Sequence, residues 1–137
     1  AVAVAERTGD APENIRRRYQ IGANGNPIFD GMYRRSATAC GGGMLGARIL
    51  MNNETDRVYA PGGGQHHARP GLASGFCFFN EPVLSILTML ECGAERVFYL
   101  DLDAHHGDGV QDAFAYDERV FTVSIHEEGR WPMAPAH

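Results

Sequence analysis

The chain has 137 residues, the size of one domain, with the 44% hydrophobic and 21% charged content of a soluble globular protein. Twelve basic against seventeen acidic residues leave a net charge of −5, which argues against a nucleic-acid partner. All twelve basic residues are arginine, and the missing lysine excludes Schiff-base catalysis and a phosphate-loop lysine.

Ala1 to Ala5 is too short for a signal core and runs into Glu6 and Arg7. No segment reaches the roughly 18 apolar residues of a membrane helix. A cytoplasmic protein with no membrane partner is the expectation. Residues 1–33 are polar, with 1–14 read as flexible. Arg16-Arg17-Arg18, followed by Tyr19, reads as a solvated helix face. Asn24-Gly25-Asn26-Pro27 is a turn signal. An Ala- and Gly-rich helix is predicted from about Tyr33 to Met51. Its Gly41-Gly42-Gly43-Met44-Leu45-Gly46 follows no strand, so close helix packing explains it better than dinucleotide binding.

Arg57-Val58-Tyr59-Ala60 reads as a strand, broken by Pro61 and three glycines. A loop follows, then a helix over residues 81–92 with Pro82 in its first turn and Gly93 as its stop. Arg96 to Asp101 reads as a buried strand, about Gly109 to Ala115 as a short helix, and Arg119 to Ser124 as the next strand. The three cysteines, Cys40, Cys77 and Cys92, show no metal-knuckle spacing, and Cys77 and Cys92 read as buried thiols. Alternating strands and helices imply α/β parallel pairing, with ligands at the carboxyl ends of the strands. That rule places His66, His67, His105, His106 and His126 along one sheet edge.

Asp101-Leu102-Asp103-Ala104-His105-His106-Gly107-Asp108 carries the strongest chemistry. Side chains alternate along a strand, so Asp101, Asp103 and His105 can point one way. Asp103 and His105 offer oxygen and nitrogen to zinc or a similar divalent ion; a loop whose carboxylates cap the next helix is the structural alternative. After Gly62-Gly63-Gly64-Gln65, the pair His66-His67 reads as metal ligands, as a base and acid, or as surface histidines. Asp101 and Asp108 permit two His–Asp dyads, in which a carboxylate fixes the tautomer and raises the basicity of the far nitrogen.

Gly63-Gly64-Gln65-His66-His67-Ala68, Ser74-Gly75-Phe76-Cys77-Phe78-Phe79-Asn80 and Asp101 to Gln111 together resemble the zinc-dependent histone deacetylase superfamily. The bacterial branch of acetoin-utilisation proteins and histone-deacetylase-like amidohydrolases looks most similar, and the resemblance spans about residues 15–130. It implies an arginase-like α/β fold, a parallel sheet flanked by helices and incomplete in this chain. It implies one zinc on Asp103, His105 and a further aspartate. It makes His66 and His67 catalytic, backed by Asp101 and Asp108, and lines an acyl-lysine channel with Gly75 and Phe76. A potassium ion would sit near Asp101, Asp103, His105 and Ser124, and a second near Phe114 and Val120. The substrate would be an acetylated amine, of acetyl-lysine or acetylpolyamine type, and the products acetate and free amine. In the family the third zinc aspartate and a transition-state tyrosine lie beyond position 137. The chain therefore reads as an interior piece of a deacetylase catalytic domain. An uncovered sheet edge or face would drive homo-oligomerisation. The alternative reading is an inactive deacetylase-fold module acting by assembly or partner binding.

Overall fold

The computed structural model describes residues 1–132. In chain order it contains α1 (Val2–Thr8), α2 (Glu13–Tyr19), α3 (Met32–Met51), α4 (Glu81–Glu91), β1 (Val97–Asp101), α5 (Asp108–Phe114) and β2 (Val120–Ser124). β1 and β2 pair in parallel, with Val97 opposite Val120 and Asp101 opposite Ser124. A parallel pair needs a crossover, and α5 lies on it.

Two cores support this frame. Ile86 of α4, Val110 and Phe114 of α5 and Val120 of β2 form one, with Val97 and Tyr99 of β1 packed against them. Ala5, Ile21, Met32, Ala73 and Phe78 form the other. The second core shows what the polar reading of residues 1–33 missed. Residues 1–14 contain α1, whose Ala5 is buried, and α2 begins directly after Pro12. Both helices are seven residues long, too short for an apolar period to show. The arginine run lies on α2 as expected, but Arg16 is more than a solvated charge. It donates to the carbonyls of Ala11 at 2.8 Å and Gly22 at 2.7 Å and pairs with Asp10.

Three other readings need correction. Residues 57–60 form no strand, because they meet no partner strand among the described residues; Val58 instead packs at Gly46, and Tyr59 is 88% exposed. β1 is buried on one face only. Val97, Tyr99 and Asp101 face the helices, while Phe98 (62% exposed) and Phe121 (66% exposed) stack on the other face at 5.8 Å between ring centroids. Leu100 and Ile125 extend that exposed apolar face. Cys92 is exposed because it follows the last turn of α4; Cys40 and Cys77 are buried, and burial pushes both thiol pKa values up.

The glycine-rich part of α3 is a packing device. A Cβ on Gly43 would stand 1.9 Å from the Glu81 carboxylate of α4, and one on Gly46 would stand 2.7 Å from Val58. Gly41 and Gly42 meet nothing within 4 Å, so only two of the four glycines are needed for contact.

Candidate active site

The carboxyl ends of β1 and β2 gather the polar loops. Asp101 is the last residue of β1, and the chain leaving it crosses to α5, which opens at Asp108. Between them these two carboxylates hold the histidine pair. His66 Nδ1 lies 2.5 Å from Asp101 Oδ2, and His67 Nδ1 lies 2.7 Å from Asp108 Oδ1. All four side chains are buried, and the two imidazole centroids are 4.0 Å apart.

Each aspartate is held ionised by its surroundings. For Asp101, burial pushes the pKa up, but hydrogen bonds from His66, from Tyr99 Oη at 2.6 Å and from the Asp103 N–H at 3.0 Å win and bring it down to about 2. Burial also opposes ionisation of Asp108; the His67 bond and Arg69, whose Nη2 is 3.0 Å away, hold its pKa below the ordinary value. A carboxylate only accepts hydrogen bonds. Each histidine therefore carries its proton on Nδ1, leaving Nε2 as the reactive nitrogen. For His66, burial lowers the pKa, yet the Asp101 bond and the charges of Asp101, Asp103 and Asp108 raise it above 6.5. Tyr99 is pushed up by burial and by Asp101.

Asp103 and His105 lie on the wall of a cavity of about 400 Å³ that also touches His66, His67, Gly75 and Phe76. His105 donates its backbone N–H to Asp103 Oδ1 at 2.7 Å, and its Nδ1 is 2.8 Å from the same oxygen. Both side chains are partly exposed. They are one oxygen and one nitrogen donor of the kind zinc takes. Among the described residues no group of three or more His, Cys, Asp or Glu side chains could hold a metal. The pair thus matches two of the three protein donors of a catalytic zinc site.

Gly75 and Phe76 shape the cavity. Gly75 has φ of 53°, and a Cβ there would come within 2.6 Å of both the His67 ring and Trp131. Phe76 follows with φ of 64° and is 70% exposed. Two successive left-handed residues, one of them aromatic, mark a backbone held by its surroundings. Buried Asn26 does part of the holding, accepting from the Phe76 N–H at 3.0 Å and donating to the Ala73 carbonyl at 3.2 Å.

The remaining predicted positions sort by location. Ser124 stands opposite Asp101, and its Oγ meets Gly107 N at 3.2 Å and His126 Nδ1 at 2.9 Å. The Asp101 carbonyl accepts from the Ile125 N–H at 2.9 Å, and the Phe114 carbonyl from Asp117 at 3.1 Å. His106 is at the same sheet edge but is buried away from the cavity, bonded to Gln111 and stacked on His126. Sequence reasoning missed Arg69, Tyr99, Asn26 and Trp131. Tyr99 was findable, since it precedes Asp101 by two in a strand. Arg69 stands two residues after His67. Asn26 and Trp131 act across long sequence gaps that no local pattern reveals.

A half-covered parallel strand pair carrying two buried His–Asp dyads beside an Asp–His pair defines one polar site on an α/β frame. The chain matches the histone deacetylase domain over residues 2–136 and belongs to the histone deacetylase family. It is 46% identical over 123 residues to histone deacetylase B of Dictyostelium discoideum, covering 86% of this chain and 29% of that protein. It is 42% identical over 115 residues to human histone deacetylase 1, covering 84% and 23%. A crystallised HDAC homolog complexed with SAHA superposes with a TM-score of 0.89 at 36% identity, covering 98% of this chain and 36% of that one. The HDAC homolog from Aquifex aeolicus gives 0.87, also at 36% identity, covering 96% and 35%. The fold is therefore that of the deacetylases, of which this chain carries an incomplete α/β portion. It spans between 23% and 29% of the length of these two curated relatives. No described helix is long and apolar enough to cross a membrane.

Proposed function

We propose that the chain carries the proton-transfer part of a zinc-dependent deacetylase site, acting on an acetylated amine of acetyl-lysine or acetylpolyamine type. The observation that carries this reading is the pair of buried His–Asp dyads, rings 4.0 Å apart, beside Asp103 and His105 in a histone deacetylase chain. Asp103 and His105 would hold the zinc together with one further donor. Zinc bound there would supply Lewis-acid polarisation of the amide carbonyl.

The chain's own residues do the rest. Asp101 and Asp108 lock the Nδ1 protons and turn Nε2 of His66 and His67 to the cavity. The two dyads are not equivalent. Asp108 shares its charge with Arg69, whereas Asp101 has only neutral donors besides His66. The Asp101 dyad therefore favours a protonated imidazole, and His66 holds charge beside the reacting group. His67 passes the proton from the attacking water to the departing amine. Gly75 and Phe76 line the path of the acyl chain. Potassium near Asp101, Asp103, His105 and Ser124 belongs to the same reading.

Zinc titration followed by an acetyl-lysine peptide assay tests it. With two such donors among the described residues, less than one zinc per chain is expected to survive dialysis against metal-free buffer. Any hydrolysis in excess zinc should vanish in His67→Ala. Hydrolysis untouched by that substitution would end the reading.

A second reading, a module that acts by assembly, is favoured by one observation: Phe98, Leu100, Phe121 and Ile125 leave an apolar sheet face open. Sedimentation at micromolar concentration is expected to show a self-associated species, and Phe98→Glu should return it to monomer. A strictly monomeric parent chain would remove this reading. The cytoplasm is the compartment we assign to either form.

A further inference from the structure

The histidine loop is held by hydrogen bonds that neither the dyads nor the secondary structure requires. Asn80 is the N-cap of α4, and its Oδ1 accepts from the Val83 N–H at 3.1 Å. Its Nδ2 also donates to the carbonyls of His66 at 2.9 Å and Ala68 at 3.0 Å. The next residue, Glu81, accepts from the Gly64 N–H at 2.9 Å through Oε2 and from Ser85 Oγ at 2.6 Å through Oε1. Backbone groups at 64, 66 and 68 are thus gripped from one helix end, and His67 lies between two held carbonyls. Gly109 closes the other side: a Cβ there would stand 2.5 Å from the His66 carbonyl oxygen and 2.8 Å from that of Ala68.

We propose that Asn80 and Glu81 are positioning residues for the His66–His67 pair. Capping needs only the acceptor. Ser or Asp caps a helix about as well as Asn does, and neither carries an amide that donates twice while its oxygen accepts. The Nδ2 bonds are therefore surplus to the cap. Glu81 gives an independent sign. It is buried, pairs with no cation among the described residues, and a buried carboxylate is costly without compensating donors. Both flanking segments make room for it. A Cβ on Gly63 would come 2.5 Å from Oε2, and one on Gly43 would come 1.9 Å from Oε1. Two glycines, one in α3 and one before the histidines, are thus explained by a single carboxylate that holds the loop. Fixing the backbone at 64–68 keeps both Nδ1 atoms in reach of Asp101 and Asp108, the tolerance a proton-transfer pair demands.

The proposal rests on the reading of His66 and His67 as the proton-moving pair, but its test needs neither zinc nor turnover. The chain is labelled with ¹⁵N-histidine, and the hydrogen-bonded Nδ1–H signals of the two dyads are followed by NMR. Asn80→Asp and Asn80→Ser keep the cap acceptor and remove the paired donors. Helix content by circular dichroism should be retained, while exchange of both Nδ1 protons with solvent rises at least about tenfold. In a uniformly ¹⁵N-labelled chain, Glu81→Ala removes the acceptor of the Gly64 N–H and should speed exchange of the Gly64 amide, and an unchanged rate overturns the role given to Glu81. Asn80→Ser carries the test if the added charge of Asn80→Asp prevents folding. A folded Asn80→Ser chain whose dyad protons exchange as in the parent overturns the proposal, whatever the zinc and peptide assays return.

Discussion

Gly109→Ala is expected to destabilise the fold by about 2 kcal/mol, although alanine is the better helix former. The added Cβ would stand 2.5 Å from the His66 carbonyl oxygen, 2.8 Å from that of Ala68 and 2.8 Å from the His67 carbonyl carbon. All three are backbone atoms of a gripped loop, so no side-chain rotation relieves the contact. Either α5 moves away or the histidine loop does. Both movements lengthen the His67–Asp108 bond, because Asp108 is the residue before Gly109. Gly41→Ala is the matched control. It lies inside α3 with nothing within 4 Å of its Cβ, and propensity alone should stabilise it by about 0.5–1 kcal/mol. Urea denaturation of the two variants decides the matter. A Gly109→Ala chain as stable as the parent would show that the loop is not wedged between the helices.

That contrast indicates what local sequence can show. The dyads were legible because their aspartates crowd into eight residues at a strand end and their histidines are adjacent. Alternation was enough to group Asp101 with Asp103 and His105, but not to show that only one face of β1 is covered. The helices α3 and α4 were legible by length and by their stops at Asn52 and Gly93. What failed depends on partners distant in sequence. Residues 57–60 have strand composition, yet a strand exists only against a neighbour. Phe98 and Phe121 look like core residues, but no described element covers their face. In sequence Asn80 is only the last residue of a loop; its cap on α4 and its grip on residues 66 and 68 both appear only when the chain is folded. Gly43 was assigned to packing, but its reason, the Glu81 carboxylate, lies 38 positions further on.

The Asp101–His66 dyad makes stability depend on pH from two sides. Asp101 is depressed from 3.8 to about 2: burial works against ionisation, and the His66, Tyr99 and Asp103 hydrogen bonds overcome it. A depressed acid contributes stability above its unfolded value and loses it as pH falls through its folded value. The acid limb should therefore fall between about pH 4 and pH 2. His66 is raised above 6.5, burial being outweighed by the Asp101 bond and three nearby carboxylates. A raised base contributes fully below its unfolded value of 6.5 and loses that contribution as pH rises through its folded value. The parent chain should be most stable between these limbs. Asp101→Asn should cost about 3 kcal/mol near pH 5.5, the scale of breaking one partner out of a buried pair. It should also flatten the alkaline limb, since the carboxylate that does most to raise His66 is gone and burial still lowers it. The acid limb should shrink but persist, because Asp108 stays depressed through His67 and Arg69. Urea midpoints measured from pH 3 to pH 9 would show this pattern. An Asp101→Asn chain that keeps the parent's decline above pH 6.5 would mean that His66 draws its stability from elsewhere in the site.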